Sequence, residues 1–283
     1  FFFFQAEDGI RDDLVTEFRR VLFRSFFAGQ INGTTGYEEA ACQGLMAGIN
    51  AHQSAKQKEP LILKRSEAYI GVLIDDLVSK GTKEPYRMFT SRAEFRTLLR
   101  QDNADLRLTE LSYKLGLASE ERMNRVREKQ NNIATIKKIF ADTFIEPAEI
   151  NEWFEKINTA SISEKQKAQK ILLRPSVEIE DMIALLPKLS AQIAGFDKES
   201  ISQAGIQIKY EVYIEKEKEL VQRMSQLEEL EIPESFDYKK IASLGNEARE
   251  KLSKAKPRTL GQASRISGIN PSDVQILMVY MGR

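Results

Sequence analysis

The helical spacing of apolar residues in the middle of the chain is the feature that most constrains its fold. Ser119 can cap a helix in which apolar residues recur at threes, fours and sevens. These residues are Met123, Val126, Ile133, Ile136 and Phe140. Pro147 and Pro175 stand where helices are expected to start, and an apolar series follows each of them. The middle of the chain is therefore predicted to be a helical bundle.

The pattern changes around Gly205. Ile206, Ile208 and Tyr210 alternate as in a short strand. Residues 213–230 then predict a strongly charged helix that ends before the proline at position 233. We place a domain boundary between residues 204 and 205 on this change.

Charge and residue usage exclude several classes of protein. Because 42 basic and 42 acidic residues cancel, contact with nucleic acid would require a local basic face. A single cysteine and a single histidine exclude a disulfide framework and argue against a zinc site. The longest apolar run, residues 276–281, is too short to span a bilayer. We expect a cytoplasmic protein with no metal site and no membrane segment.

The first 25 residues have neither the basic start nor the cleavage site of a signal peptide. We interpret residues 1–25 as a non-native lead-in, of the kind that sequencing-adapter or assembly debris would produce. The alternative is a genuine amphipathic helix.

A glycine-rich turn follows an apolar, strand-like stretch that begins at Phe26. Gly29, Gly33 and Gly36 permit backbone conformations that other residues avoid, and a helix is predicted to begin near Thr35. The free N–H groups of that helix start suit an anion or an electron-rich ring, as in a dinucleotide site. A purely structural turn is the alternative, and the spacing does not match G-x-G-x-x-G.

An arginine-rich stretch spans residues 81–109. Ser91 and Glu94 predict a capping box and a helix, which would place Arg92, Arg96 and Arg100 on one face. Arginine suits phosphate because of its planar fork. The alternative is an internal ion-pair network with the nearby acidic residues Glu94, Asp102 and Asp105.

A third informative stretch is basic and runs over residues 251–274. Thr259 is predicted to cap one helix and Asn270 the next, with a turn at Gly268. This pattern is typical of a helix-turn-helix and also of a plain helical hairpin. Cys42 is predicted to be a small core residue, and the pair Asp75 and Asp76 a solvated helix face or the partner of an arginine.

Residues 29–48 resemble the flavin-contacting segment of the MnmG family, also called GidA, and residues 81–109 resemble its central block. Residues 210–213 and 260–268 resemble its carboxy-terminal subdomain. The resemblance covers residues 26–283, with Cys42 in place of alanine and Val212 in place of glycine.

The resemblance implies the carboxy-terminal part of a flavoenzyme that acts on tRNA. With FAD, NADH, methylenetetrahydrofolate and an MnmE-type GTPase, the parent adds a carboxymethylaminomethyl or aminomethyl group to C5 of the wobble uridine. A homodimer is implied for the parent. The catalytic amino-terminal fold has no counterpart here, so we expect no catalytic residue and no activity from this chain alone. The rival hypothesis is a non-enzymatic helix-turn-helix module that binds nucleic acid.

By this resemblance, seven residues would contact the flavin and eight would contact nucleic acid. The flavin set is Gly29, Gln30, Ile31, Asn32, Gly33, Thr34 and Thr35. The nucleic-acid set is Arg87, Arg92, Arg96, Arg100, Arg107, Lys254, Arg258 and Arg265. The expected fold is mainly α. Its parts are the lead-in (1–25), a remnant of a flavin-binding α/β domain (26–58), a helical domain (59–204) and a small helical subdomain for tRNA and partner binding (205–283).

Overall fold

The computed structural model describes residues 25–80, 84–228, 230–241 and 243–281. Within these ranges the chain is mainly helical, as predicted. The segment predicted to be a non-native lead-in lies almost wholly outside them. The chain divides into two compact units, of which one contains the residues up to Leu99 together with Glu217 onward, and the other is Arg100–Lys216.

The α-helices of the described residues are α1 (Tyr37–Ala55), α2 (Tyr69–Lys80), α3 (Ala104–Lys114), α4 (Glu120–Asp142), α5 (Pro147–Lys156), α6 (Ala168–Leu172), α7 (Ile179–Leu185), α8 (Pro187–Ile193), α9 (Lys198–Lys209), α10 (Glu211–Glu228), α11 (Asn246–Ala255), α12 (Leu260–Arg265) and α13 (Pro271–Tyr280). Two short strands, β1 (Phe144–Ile145) and β2 (Gln166–Lys167), pair antiparallel. Short 3-10 turns lie at Gly29–Asn32, Thr90–Arg92, Gln101–Asn103 and Tyr238–Lys240. None of these helices is long and apolar enough to cross a membrane.

The core of the 100–216 unit forms around α4. The Ser119 side chain accepts the amide N–H of Arg122, which confirms the predicted cap. The five apolar residues predicted for this helix are all buried, and α4 packs against α3, α6 and α9. Pro147 begins α5 as predicted, where a capping box between Glu146 and Glu149 satisfies the free amides. Period and capping together were sufficient to place these helices.

Two local predictions in this unit are wrong. Pro175 does not begin a helix, because the Val177 amide closes a turn on the carbonyl of Arg174 and α7 begins only at Ile179. The strand predicted after Gly205 is the second half of α9. Gly205 lets two helices approach, since a Cβ there would lie 2.8 Å from Cγ2 of Ile179. The boundary predicted between residues 204 and 205 falls inside this helix, and the domain ranges stay predictions.

The other unit contains a separate carboxy-terminal core. Leu252, Leu260 and Leu277 are fully buried there, and each comes from a different helix among α11, α12 and α13. The charged helix predicted over residues 213–230 is confirmed as α10. In the same unit, Val72 and Leu73 of α2 are buried in two small hydrophobic clusters. Residues of the segment that follows α2 complete both clusters.

Candidate functional site

The glycine turn (residues 29–36) has the positive-φ backbone that its glycines permit. Gly29, Gly33 and Gly36 all have positive φ, at 82°, 74° and 102°. At Gly36 this φ disfavours any side chain, and an added Cβ would also lie 2.1 Å from Oε2 of Glu39, which would have to shift. The turn leads into α1 at Tyr37, two residues after the predicted start.

Gln43 organises this turn from the buried face of α1. Its Oε1 accepts the Gly29 amide at 3.2 Å and Nδ2 of Asn32 at 2.7 Å. Its Nε2 donates to Oγ1 of Thr34 at 2.9 Å, and that hydroxyl donates to the carbonyl of Gly29 at 3.0 Å. Gly29, Asn32 and Thr34, three residues of the predicted flavin set, therefore form hydrogen bonds within the turn through these polar groups. Sequence reasoning missed Gln43, although a large amide among small residues was a usable signal.

The exposed part of the turn is Gln30, Ile31, Thr35 and Gly36. They lie beside the start of α1, whose first N–H groups have no acceptor within the helix. Glu38 and Glu39 stand in that first turn. Two carboxylates disfavour a phosphate at this position, whereas a neutral carbonyl of a ring system can still accept the N–H groups. The local chemistry fits the ring of a dinucleotide cofactor better than its pyrophosphate.

The prediction that Cys42 is a core residue is wrong. Its thiol is exposed, and the residues that α1 buries are Glu39, Gln43, Met46 and Asn50. The small and apolar side of the helix faces outward instead, with Leu45 61% exposed. Partial burial, followed by the charges of Glu39 and Glu38, raises the pKa of the Cys42 thiol. A thiol in such surroundings is a poor nucleophile.

The glycine turn is hydrogen-bonded to a second segment that carries arginines, which we call the arginine segment (residues 86–96). The Thr35 amide donates to the carbonyl of Tyr86 at 2.8 Å, and the Tyr86 amide donates to the carbonyl of Gly33 at 2.7 Å. A carboxylate oxygen of Glu39 accepts the amide of Met88 at 2.9 Å. These hydrogen bonds therefore hold the two segments side by side.

The helix predicted from Ser91 does not form. The segment has only a 3-10 turn at Thr90–Arg92 and then irregular backbone, so Arg92, Arg96 and Arg100 do not share a helical face. Glu94 bonds to Arg65 instead of capping a helix start. Phe95 is buried at 2% exposure, in an extended alternation that a helix would break.

Three arginines of the segment are nevertheless exposed. They are Arg87, Arg92 and Arg96. The guanidinium of Arg92 lies 4.3 Å from the ring centroid of Tyr86, and its Nε donates to the carbonyl of Arg87 at 3.0 Å. Cation–π contact and this hydrogen bond hold Arg92 in place. The arrangement provides a basic edge next to the glycine turn.

Arg65 lies beneath this edge, and sequence reasoning missed it. Its side chain is 6% exposed, and it forms ion pairs with Asp75 at 2.9 Å, Asp76 at 2.8 Å and Glu94 at 2.7 Å. The hydroxyl of Tyr86 also donates to Asp76 at 2.8 Å. The prediction that Asp75 and Asp76 have an arginine partner is confirmed.

Arg100 and Arg107 belong to the other compact unit and are partly buried. Nε of Arg100 lies 3.1 Å from Asp102, as the internal-network alternative predicts. Nε of Arg107 donates to Oδ1 of Asn103 at 2.9 Å, and its Nη2 donates to the carbonyl of Arg100 at 3.1 Å. These contacts assign structural roles to both side chains.

The carboxy-terminal hairpin has the predicted caps. The Thr259 hydroxyl accepts the Gln262 amide, and Asn270 and Asp273 form a capping box at the start of α13. The exposed side chains of α13 include Gln275, Val279 and Tyr280 and carry no positive charge among the described residues. A helix that reads DNA bases needs more donors on its exposed face, so the hairpin geometry does not favour the DNA-binding alternative.

The cations predicted to contact nucleic acid in this region have different environments. Arg265 is bound to Asp75, whereas Lys254 and Arg258 are exposed. Lys254 lines an open groove of about 440 Å³. The other lining residues are Lys239, Asn246, Arg249, Glu250 and Ser253. Three cations and one carboxylate give this groove a positive balance, and its cations Lys239 and Arg249 were missed by sequence reasoning.

Three models of related families match the chain in order. "Glucose inhibited division protein A" matches residues 10–59, and so begins inside the segment predicted to be a non-native lead-in. "tRNA modifying enzyme MnmG/GidA C-terminal helical domain" matches residues 120–218. The "C-terminal helical bundle" of the same enzyme matches residues 220–283.

Curated relatives carry the same description. The "tRNA uridine 5-carboxymethylaminomethyl modification enzyme MnmG" of Cytophaga hutchinsonii is 58% identical over 93% of this chain and 42% of its own length. The Bacillus licheniformis protein of that name is 50% identical over 90% of this chain and 40% of its own. The chain thus spans about two fifths of the length of these relatives.

Solved structures agree with these matches. Aquifex aeolicus GidA in its form II crystal superposes with a TM-score of 0.69 at 42% identity, over 90% of this chain and 40% of that one. The form I crystal gives a TM-score of 0.68 at the same identity. At this identity the likeness extends beyond the fold to sequence.

Proposed function

The chain belongs to the MnmG/GidA family, and we propose from this premise that it is the carboxy-terminal part of an enzyme that modifies C5 of the tRNA wobble uridine. The ordered matches to three family models carry this proposal. The modification would be a carboxymethylaminomethyl or aminomethyl group. Since the chain spans about two fifths of its relatives, the activity is assigned to the longer parent and no catalytic residue is assigned here.

FAD fits the glycine turn as the cofactor of the parent. Gln30, Ile31 and Thr35 and the first N–H groups of α1 would hold the flavin ring, while Gln43 keeps the turn in shape. When bound, the flavin would supply redox chemistry, with NADH as reductant and methylenetetrahydrofolate as one-carbon donor. The residues of this chain would orient the ring at the exposed edge of the turn.

The basic edge formed by Arg87, Arg92 and Arg96 would contact the tRNA backbone. Its position next to the glycine turn supports this role, because both segments share backbone hydrogen bonds. The groove around Lys254, together with Arg258, would provide a second set of phosphate contacts. Of the eight residues predicted to contact nucleic acid, Arg265, Arg100 and Arg107 are better explained as structural, since each has an ion-pair or hydrogen-bond partner within its own unit.

The carboxy-terminal bundle from α11 to α13 would also dock an MnmE-type GTPase. Exposed Val279 and Tyr280 on α13 offer an apolar contact for such a partner. A homodimeric parent in the cytoplasm completes the proposal. We expect this chain to bind tRNA and to be inactive alone.

The test is the salt dependence of tRNA binding by this chain. Charge reversal of Arg87 and Arg96 to Glu should weaken binding and lower the slope of log K against log salt by about 0.7–0.9 for each lost phosphate contact. A matched control reverses Arg122 and Arg125, two exposed arginines of α4. Equal losses in the two double variants would show that binding is non-specific and would contradict the proposed surface.

A further inference from the structure

Arg65 bridges two elements of its unit from a buried position. On one side its Nη1 donates to the carbonyl of Val72 at 3.2 Å, and to Asp75 and Asp76 on α2. On the other side its Nε and Nη2 donate to the two carboxylate oxygens of Glu94, at 3.1 and 2.7 Å. The fork geometry of a guanidinium is required to reach both sides at once.

The same guanidinium also holds the backbone of the arginine segment. Nη2 of Arg65 lies 3.3 Å from the carbonyl oxygen of Arg92, to which it donates. Arg92 and Glu94 lie between the exposed Arg87 and Arg96 in the sequence. The anchor therefore holds the backbone between these two exposed arginines.

The arginine segment depends on side-chain anchors because it has little secondary structure. One 3-10 turn is its only helical element among the described residues. Its other anchors are the backbone hydrogen bonds that Tyr86 shares with Gly33 and Thr35, and the carboxylates of Glu39 and Asp76, which accept the Met88 amide and the Tyr86 hydroxyl. Irregular backbone that is positioned by side-chain anchors is expected to change its arrangement when one anchor is lost.

We propose that Arg65 is a positioning residue that holds Arg87, Arg92 and Arg96 in the arrangement that contacts tRNA phosphates. This inference rests on the proposed function of the arginine segment. It adds that the backbone carrying the exposed guanidiniums has a fixed conformation. One buried cation, Arg65, maintains that conformation. Removing that cation would also leave Asp76 and Glu94 uncompensated beneath an RNA surface, where their charges repel phosphate.

Two variants test this role, one at Arg65 and one at its partner Glu94. Arg65→Lys keeps the charge but loses the fork, and Glu94→Gln keeps the shape but loses the charge. The matched control is Glu199→Gln, since Glu199 is likewise an acidic partner of a buried cation, Lys129, at 2.7 Å. Each variant is compared with the wild-type chain by thermal unfolding, by amide exchange of residues 88–98, and by tRNA binding over a range of salt.

The expected result is faster amide exchange in residues 88–98 for both variants, by roughly tenfold or more for a lost charged hydrogen bond. At a temperature where every protein is folded, tRNA binding should weaken and its salt slope should fall. The control should match the wild-type chain in both measurements. A role limited to stability would lower the melting temperature without changing the salt slope.

Unchanged exchange in both variants would overturn the proposal, and so would faster exchange with wild-type tRNA affinity and slope. If the wild-type chain does not bind tRNA, the proposed function fails. The exchange comparison then still decides separately whether Arg65 holds the segment.

Discussion

The guanidinium of Arg265 is paired with the carboxylate of Asp75, with Nε 2.8 Å from Oδ2 and Nη2 2.9 Å from Oδ1. The side chain of Arg265 is 7% exposed. Because Asp75 also pairs with Arg65, the carboxy-terminal hairpin and α2 share one buried charge cluster. Arg265 lies in a basic stretch of the sequence, yet its partner is a carboxylate of the same unit that is distant in the sequence.

Replacing Arg265 with Gln should destabilise the fold. The change removes a charged hydrogen bond within a mostly buried pair, which costs about 1.5–3 kcal/mol in the free energy of unfolding. The salt slope of tRNA binding should stay at the wild-type value, because this guanidinium does not reach a phosphate in the proposed surface. Urea unfolding and filter binding measure the two effects.

The matched control for that change is Arg258→Gln, at an exposed arginine of the same stretch. Its stability should change by less than that of Arg265→Gln, because the pair that Arg265 forms is mostly buried, and its salt slope should fall. If Arg265→Gln lowers the slope as Arg258→Gln does, the structural assignment of Arg265 is wrong.

Replacement by alanine should change the stability of the chain in opposite directions at two glycines, Gly36 and Gly44. Gly36→Ala places a side chain at a φ of 102° and against Glu39, so it should destabilise the chain by about 1–3 kcal/mol. Gly44 lies inside α1, with nothing within 4 Å of an added Cβ. Gly44→Ala should stabilise by up to about 1 kcal/mol, the difference in helix propensity. Thermal unfolding of both variants decides, and equal changes would contradict this account of the turn.

Helices with a cap and a regular apolar period were predictable from the sequence. Ser119, Pro147 and Asn270 each stand at the helix start that the sequence predicts, because capping is a local property of a few adjacent residues. The start at Pro175 failed because a turn intervenes. The glycine turn was likewise recognisable, since positive φ favours glycine.

Apart from Pro175, the failures share one cause, which is a tertiary partner distant in sequence. Glu94 matched a capping box by spacing, but Arg65 is 29 residues away and takes its carboxylate. A strand was predicted for Ile206, Ile208 and Tyr210 after Gly205, whereas the lack of a side chain at Gly205 lets α9 contact Ile179. Cys42 was assigned to a core because its neighbours are small, yet polar side chains are the ones that α1 buries. Local pattern carries no information about such partners.

The stability of the 100–216 unit should depend on pH through Asp102. Burial opposes ionisation, but the hydrogen bond from Gln203 and the charge of Arg100 outweigh it and lower the pKa of Asp102 below its usual 3.8. A lowered folded pKa contributes stability that is present above the unfolded value and is lost as pH falls through the folded value. The stability difference between the wild-type chain and Asp102→Asn should therefore shrink below about pH 4. Urea unfolding from pH 3 to 6 measures it, and a difference that is constant over this range would contradict the assignment.

Cys42 should react slowly with iodoacetamide even though it is exposed. Partial burial and then the charges of Glu39 and Glu38 raise the pKa of its thiol, so the thiolate is scarcer at neutral pH than in a free cysteine. The rate should rise as pH is raised toward 9, and Glu38→Gln should increase the rate at pH 7.5 by removing one negative charge. The chain unfolded in urea provides the reference, since its thiol has lost both influences. Reaction at the same rate in the folded and unfolded chains would show that the carboxylates at the start of α1 do not act on the sulfur.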